Sequence, residues 1–107
     1  MIRLTVLYNL SAVTDVDEFL KWRLTEHHSS NLAIEGVIRT DFASIDAAWP
    51  PDAKPTYRFM TTVDWPDRES FQKGFYTPEV QDDMKKNMEM LSDPIYLISE
   101  ILIEERK

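Results

Sequence analysis

The stretch TDVDEFLKWRLTEHHSSN, Thr14 to Asn31, organises the reading of the whole chain. Thr14 or Asp15 can cap a helix, with Asp17 or Glu18 three residues on, which is the pattern of a capping box. Acids in a first turn also suit the positive end of the helix dipole. Val16, Phe19, Leu20 and Leu24 recur at helical spacing and make one apolar stripe. The stripe runs on to His27 or His28, one turn beyond Leu24. The spacing predicts a helix over about residues 15–31.

Working outward, IRLTVLYNL (Ile2 to Leu10) is short, apolar and rich in β-branched residues, so it reads as a strand. Leu4, Val6 and Tyr8 fall on one face, with Thr5, Leu7 and Asn9 on the other. After the helix, Gly36 closes a short connection and VIRTDFASI (Val37 to Ile45) is a second strand. AAWPPDAKP carries three prolines and no periodicity, which excludes helix and central strand. The 46–55 segment is long for a hairpin; it reads as a lid, a dimer arm or a plain surface loop carrying Trp49. TYRFMTTVDW (Thr56 to Trp65) is a third strand, and Pro66 stands just inside a helix start. Gly74 interrupts that helix, and Thr77-Pro78-Glu79 restarts it. Val80, Met84, Met88 and Leu91 form the next stripe, which Ser92-Asp93-Pro94 stops. PIYLISEILIEE is the fourth strand.

The order is βαββαβ within a single domain, 1–107. That order predicts an α+β, ferredoxin-like protomer: a four-stranded antiparallel sheet with its helices on one face. Strands one and four are apolar on both faces, and nothing else in the chain can cover the second face. A second copy is the simplest cover, so a homodimer with sheets face to face, a dimeric α+β barrel, is expected.

Composition excludes several function classes. The chain has no cysteine, which rules out disulfides, thiolate metal sites and thiol catalysis. Twelve basic residues against 19 acidic give a net charge of −7, the wrong sign for non-specific nucleic-acid binding. No apolar run approaches the roughly 20 residues of a membrane span, and MIRLTVLYNL lacks the layout of a signal peptide. A cytoplasmic location is expected. Two isolated glycines cannot build a phosphate loop, and no elbow motif surrounds Ser29 or Ser30.

The only two histidines, His27 and His28, are the most reactive side chains in the sequence. An imidazole can take a proton from a phenol or an activated carbon and return it. The alternative is a cationic helix end that satisfies the dipole. Neighbours on a regular helix point about 100° apart, so the pair cannot share a metal; no metal and no cofactor is expected. Tyr8, Phe42, Tyr57, Phe59 and Trp65 can all face the helices, as a wall for a flat ligand or as ordinary core. Arg39, Asp41 and Arg58 are placed on the opposite face, where ion pairing is expected.

An aromatic-x-x-x-x-His pattern late in the first helix, here Trp22 and His27 in WRLTEH, resembles the EthD-like branch of the dimeric α+β barrel superfamily. The passage from Tyr57 through Trp65 to Pro66, followed by Phe71, is a second match, and TPEVQ at 77–81 is a third. Where that pattern has a proline or apolar residue soon after the histidine, this chain has His28-Ser29-Ser30. The superfamily includes cofactor-free monooxygenases, polyketide cyclases, isomerases, haem-dependent enzymes and proteins of unknown role. The resemblance implies His27 as acid/base, with Tyr8, Trp22, His28, Tyr57 and Trp65 lining a cleft for a small aromatic or polyketide-like molecule. The competing expectation is a non-catalytic homodimer that binds a small apolar ligand or serves an accessory role.

Overall fold

Strand alternation sets the layout. In a computed structural model describing residues 1–107, Ile2, Leu4, Val6 and Tyr8 of β1 (Ile2–Leu10) are buried and the residues between them are not. Cross-strand partners extend that buried face: Leu4 lies opposite Val63, Val6 opposite Thr61 and Tyr8 opposite Phe59 of β3 (Phe59–Trp65). β2 (Arg39–Ser44) pairs with the outer edge of β3, and β4 (Leu91–Glu100) with the outer edge of β1. The sheet order is β2-β3-β1-β4, all antiparallel, which is the split βαβ arrangement of a ferredoxin-like fold. β4 follows β1 along nearly its whole length, and Ile101 N donates to Met1 O at 2.9 Å.

The helices cover the buried face. Asp15 accepts from Glu18 N at 2.9 Å and caps α1 (Val16–Trp22). The chain then winds through a five-residue π-helical turn, Arg23–His27, into α2 (His28–Leu32). Leu24, expected on the apolar stripe, is 63% exposed, whereas Arg23 is 1% exposed. Phe19, Arg23 and His27 are spaced four apart and share the inward face, so the residue after Arg23 turns to water. Phe19, Phe71 and Phe75 complete the core with Phe59, Val63 and Trp65. Each such aromatic contributes on the order of 2 kcal/mol or more through burial alone.

α3 (Arg68–Phe75) is capped by Asp67, so Pro66 lies outside the helix rather than in its first turn. Gly74 sits on α3 where a Cβ would collide with the Glu35 carbonyl oxygen and press on Trp65 Nε1. Trp65, fully buried, donates Nε1–H to that same oxygen at 3.0 Å. Thr77 caps α4 (Pro78–Asn87), which continues as a 3₁₀ turn, Met88–Met90, directly into β4.

Three strand limits differ from the sequence reading. β2 and β3 are shorter than Val37–Ile45 and Thr56–Trp65: beyond the ladder only single bonds remain, from Ile45 N to Arg58 O at 2.8 Å beside the Pro55 turn and from Ile38 N to Asp64 O at 2.9 Å at the other end. Ser92-Asp93-Pro94 does not stop an element but lies inside β4. Asp93 takes φ 50, and the register slips between Leu7 and Asn9, so the segment is a bulge on an edge strand, where proline is tolerated.

The second sheet face carries the charges. Asp64, 1% exposed, accepts from Arg3 Nε at 2.8 Å and Arg3 Nη2 at 3.0 Å, with Arg39 Nη1 at 3.8 Å. Arg39 Nη2 also donates to Asp41 at 2.9 Å. Arg58 is not part of this network: it precedes β3, its amide donates to Asn9 Oδ1 at 2.8 Å, and its guanidinium lies 5.3 Å from the Phe59 ring. Around the charges, Leu7, Met60 and Ala43 are half-buried, and Ile95 and Leu97 are exposed. No helix is long and apolar enough to cross a membrane.

Candidate functional site

Between the helices and the sheet lies a cleft of about 110 Å³. β1 supplies its floor with Leu4, Val6 and Tyr8, and β3 with Thr61, Val63 and Trp65. Phe19, Trp22, Arg23 and His27 form one wall, and Val80, Asp83, Met84 and Asn87 of α4 form the other. Tyr96 and Leu91 of β4 close the side. That volume is below the roughly 150 Å³ of an apolar cavity that admits benzene, so the cleft holds one ring at most and only where it opens outward. The cleft opens into a polar outer basin of about 470 Å³. Trp22, His27, Ser30, Asp83, Asn87 and Met90 belong to both spaces and make the threshold.

His27 is held at that threshold by the π-helical turn, a feature frequent at functional sites. Its ring stacks on Trp22, centroids 4.4 Å apart and planes 22° apart, which fixes its plane across the opening. Burial lowers its pKa from 6.5 to about 4; the Arg23 charge pushes the same way, and Asp83 opposes both. At neutral pH the ring is therefore uncharged, with a lone pair free to accept a proton or a hydrogen bond.

Tyr8 sits deeper. Its hydroxyl is 3.0 Å from Thr61 Oγ1, and burial raises its pKa, so it is a neutral phenol. Arg23 Nη2 donates to the same Thr61 oxygen at 3.1 Å, and the guanidinium lies 4.4 Å from the Phe42 ring centre. Arg23 Nη1 is buried with no hydrogen-bond partner.

Tyr8, Trp22, His27 and Trp65 are thus brought to one cleft. His28 and Tyr57 are outside its lining. His28 follows His27 by one position and turns off the inward face. Tyr57 lies ahead of the first paired residue of β3, half-buried and beyond the sheet's alternation. Phe42 shares the helix-facing side but packs on Phe19 and Phe59 rather than lining the cleft. The sequence reading passed over Arg23, Thr61 and Asp83. For Arg23 a signal was present: it stands four residues after Phe19 and four before His27, so any helix that buries those two buries it as well. No three His, Asp or Glu side chains are grouped in the structure as a metal set would be.

A family model described as REDY-like protein HapK matches residues 2–102. No curated protein matches the chain. Among solved structures, an EthD-family protein from Bacillus halodurans C-125 superposes with a TM-score of 0.72 at 22% identity, covering 95% of this chain and 99% of that one. A dimeric ferredoxin-like protein of unknown function from Thermobifida fusca YX gives 0.70 at 17% identity, with 94% and 90% covered. SnoaB, a cofactor-independent oxygenase from Streptomyces nogalater, gives 0.71 at 6% identity, with 99% and 97% covered. The ferredoxin-like α+β fold and the likeness to EthD-family proteins expected from the sequence stand in these matches.

Proposed function

The chain belongs to the family of the REDY-like protein HapK, and on that premise we propose that it is a cofactor-independent enzyme acting on a small aromatic or polyketide-like molecule. The reaction is of the monooxygenase, cyclase or isomerase type, whose shared first step is removal of a proton from a phenolic O–H or a doubly activated C–H. His27 takes that proton. Tyr8, Trp22 and Trp65 hold the ring. The observation that carries the reading is a neutral imidazole, stacked in a fixed plane, at the mouth of an apolar cleft. Support of a general kind comes from a cofactor-independent oxygenase that shares the fold.

A pKa of about 4 makes His27 a weak base, so the substrate has to be acidic at the bond that breaks. The same value favours the second reading, a non-catalytic binder in which His27 only accepts a hydrogen bond from a small ligand. In either case the protein works as a homodimer joined through the second sheet face. His27→Gln separates the two. For an enzyme, proton exchange at an activated carbon of a bound cyclic 1,3-diketone, followed by NMR in D₂O, falls by about a hundredfold or more while binding persists. Exchange unchanged by the substitution sinks the acid/base role.

A further inference from the structure

The least explained group in the cleft is Arg23. The residue is 1% exposed and no carboxylate pairs with its guanidinium; every ion pair in the structure lies elsewhere. Nη2 donates to Thr61, the guanidinium lies on the face of Phe42, and its charge acts on the neighbouring Tyr8 hydroxyl. Nη1 has no partner although it is buried. A buried, unpaired cation is costly, and a side chain that served only packing would be better apolar. Arg23 also lines the cleft, so the missing partner has a place to sit.

Beside it lies a second donor. Thr61 Oγ1 accepts from Arg23, and its own hydroxyl proton can be donated to the Tyr8 oxygen 3.0 Å away. In that arrangement the Tyr8 O–H is free to point at a ligand. A guanidinium N–H and a phenolic O–H then converge at the inner end of an otherwise apolar, ring-sized space.

We infer that Arg23, aided by Tyr8, is an oxyanion-binding residue, and that the ligand of this cleft is a single aromatic or enolic ring bearing a negatively charged oxygen. The inference rests on the reading of the cleft as the ligand site and names the chemistry it selects. The proton leaves a C–H or O–H at the threshold end of the ligand, with the electron pair moving through the conjugated ring onto an oxygen at the inner end. His27 at the threshold receives it, and the charge that remains on oxygen is met by Arg23. The anion also cancels the Arg23 charge that His27 feels, which makes the protonated imidazole easier to form. Ligand binding thereby relieves the smaller of the two causes that hold the His27 pKa down.

The test uses 4-nitrophenol, whose neutral and ionised forms absorb differently, and 4-nitroanisole, its uncharged methyl ether. The wild-type chain should bind 4-nitrophenolate at least about tenfold tighter than 4-nitroanisole and lower the apparent pKa of the bound phenol. Equal affinity, or preference for the ether, overturns the inference on the wild-type protein alone. Arg23→Met should lose that preference while the ligand-free chain becomes no less stable, since an unpaired buried charge has been removed. An Arg23→Met chain that folds and keeps the preference also overturns it. Benzoate in place of the phenolate tells whether the oxyanion is carried on the ring or on a carboxylate; binding of either above the ether supports the site. His27→Gln should keep the anion preference. Preference kept with proton exchange intact in that variant rejects the acid/base role and leaves Arg23 standing; exchange lost with no anion preference in the wild type does the reverse.

Discussion

At the scale of single residues, His27 shows how position sets chemistry. Its pKa is lowered in the folded chain from 6.5 to about 4, mainly by burial. Between those values the unfolded chain binds the proton and the folded chain does not. This contribution to stability is therefore complete above about pH 6.5 and is lost as the pH falls toward 4. After discounting for the part of the ring that stays in water, the loss is on the order of 1–2 kcal/mol. Urea unfolding at pH 7, 5.5 and 4 should show a steeper acid destabilisation for the wild type than for His27→Gln; parallel curves would mean that the imidazole does not resist protonation. Tyr8 and Trp65 were legible in the sequence because strand alternation points them inward, and Trp22 and His27 were singled out by the resemblance carried in WRLTEH. Arg23 was not, because an arginine on an apolar face is ordinarily assigned to solvent. That rule fails where a charge is kept for a ligand.

At the scale of elements, periodicity located each helix and strand, and it failed where the backbone leaves its regular path. The buried stripe runs Phe19, Arg23, His27 at a spacing of four and so misses Leu24, with the π-helical turn at Arg23–His27 carrying its last step. The β4 bulge at Asp93 puts turn-forming residues inside a strand, which their composition argued against. Gly74 means more than the helix interruption read from the sequence: α3 ends one residue beyond it and α4 restarts at Pro78, and Gly74 itself is where α3 meets the Glu35 carbonyl. In an exposed helix Gly→Ala stabilises by up to about 1 kcal/mol. Here Gly74→Ala forces α3 away from Glu35 and disturbs the Trp65 Nε1 hydrogen bond, so a loss of about 2 kcal/mol or more is expected. Thermal unfolding measures it, and a raised Tm would show that the helix shifts without strain.

At the scale of the whole molecule, the sheet has one face closed by helices and one that joins a paired charge cluster to exposed Ile95 and Leu97. A second copy laid on that face would bury Leu97, which is 50% exposed in the single chain. Leu97→Glu should convert a dimer into a species near 12.6 kDa in sedimentation velocity at micromolar concentration, with the helix-facing cleft unchanged. A wild-type chain that already sediments at that mass contradicts the dimer. The strand order βαββαβ made this architecture legible, while the partners of Asp64 came from registers that composition does not encode. The pairing of β4 with β1 has one more consequence, in the order of synthesis. β1 is translated before β4 and waits for it, so until residues 91–100 leave the ribosome one edge of β1 is bare and the cleft lacks Leu91 and Tyr96. Such long-range closure makes for slow, late folding, and a nascent chain held short of Leu91 is a target for chaperones.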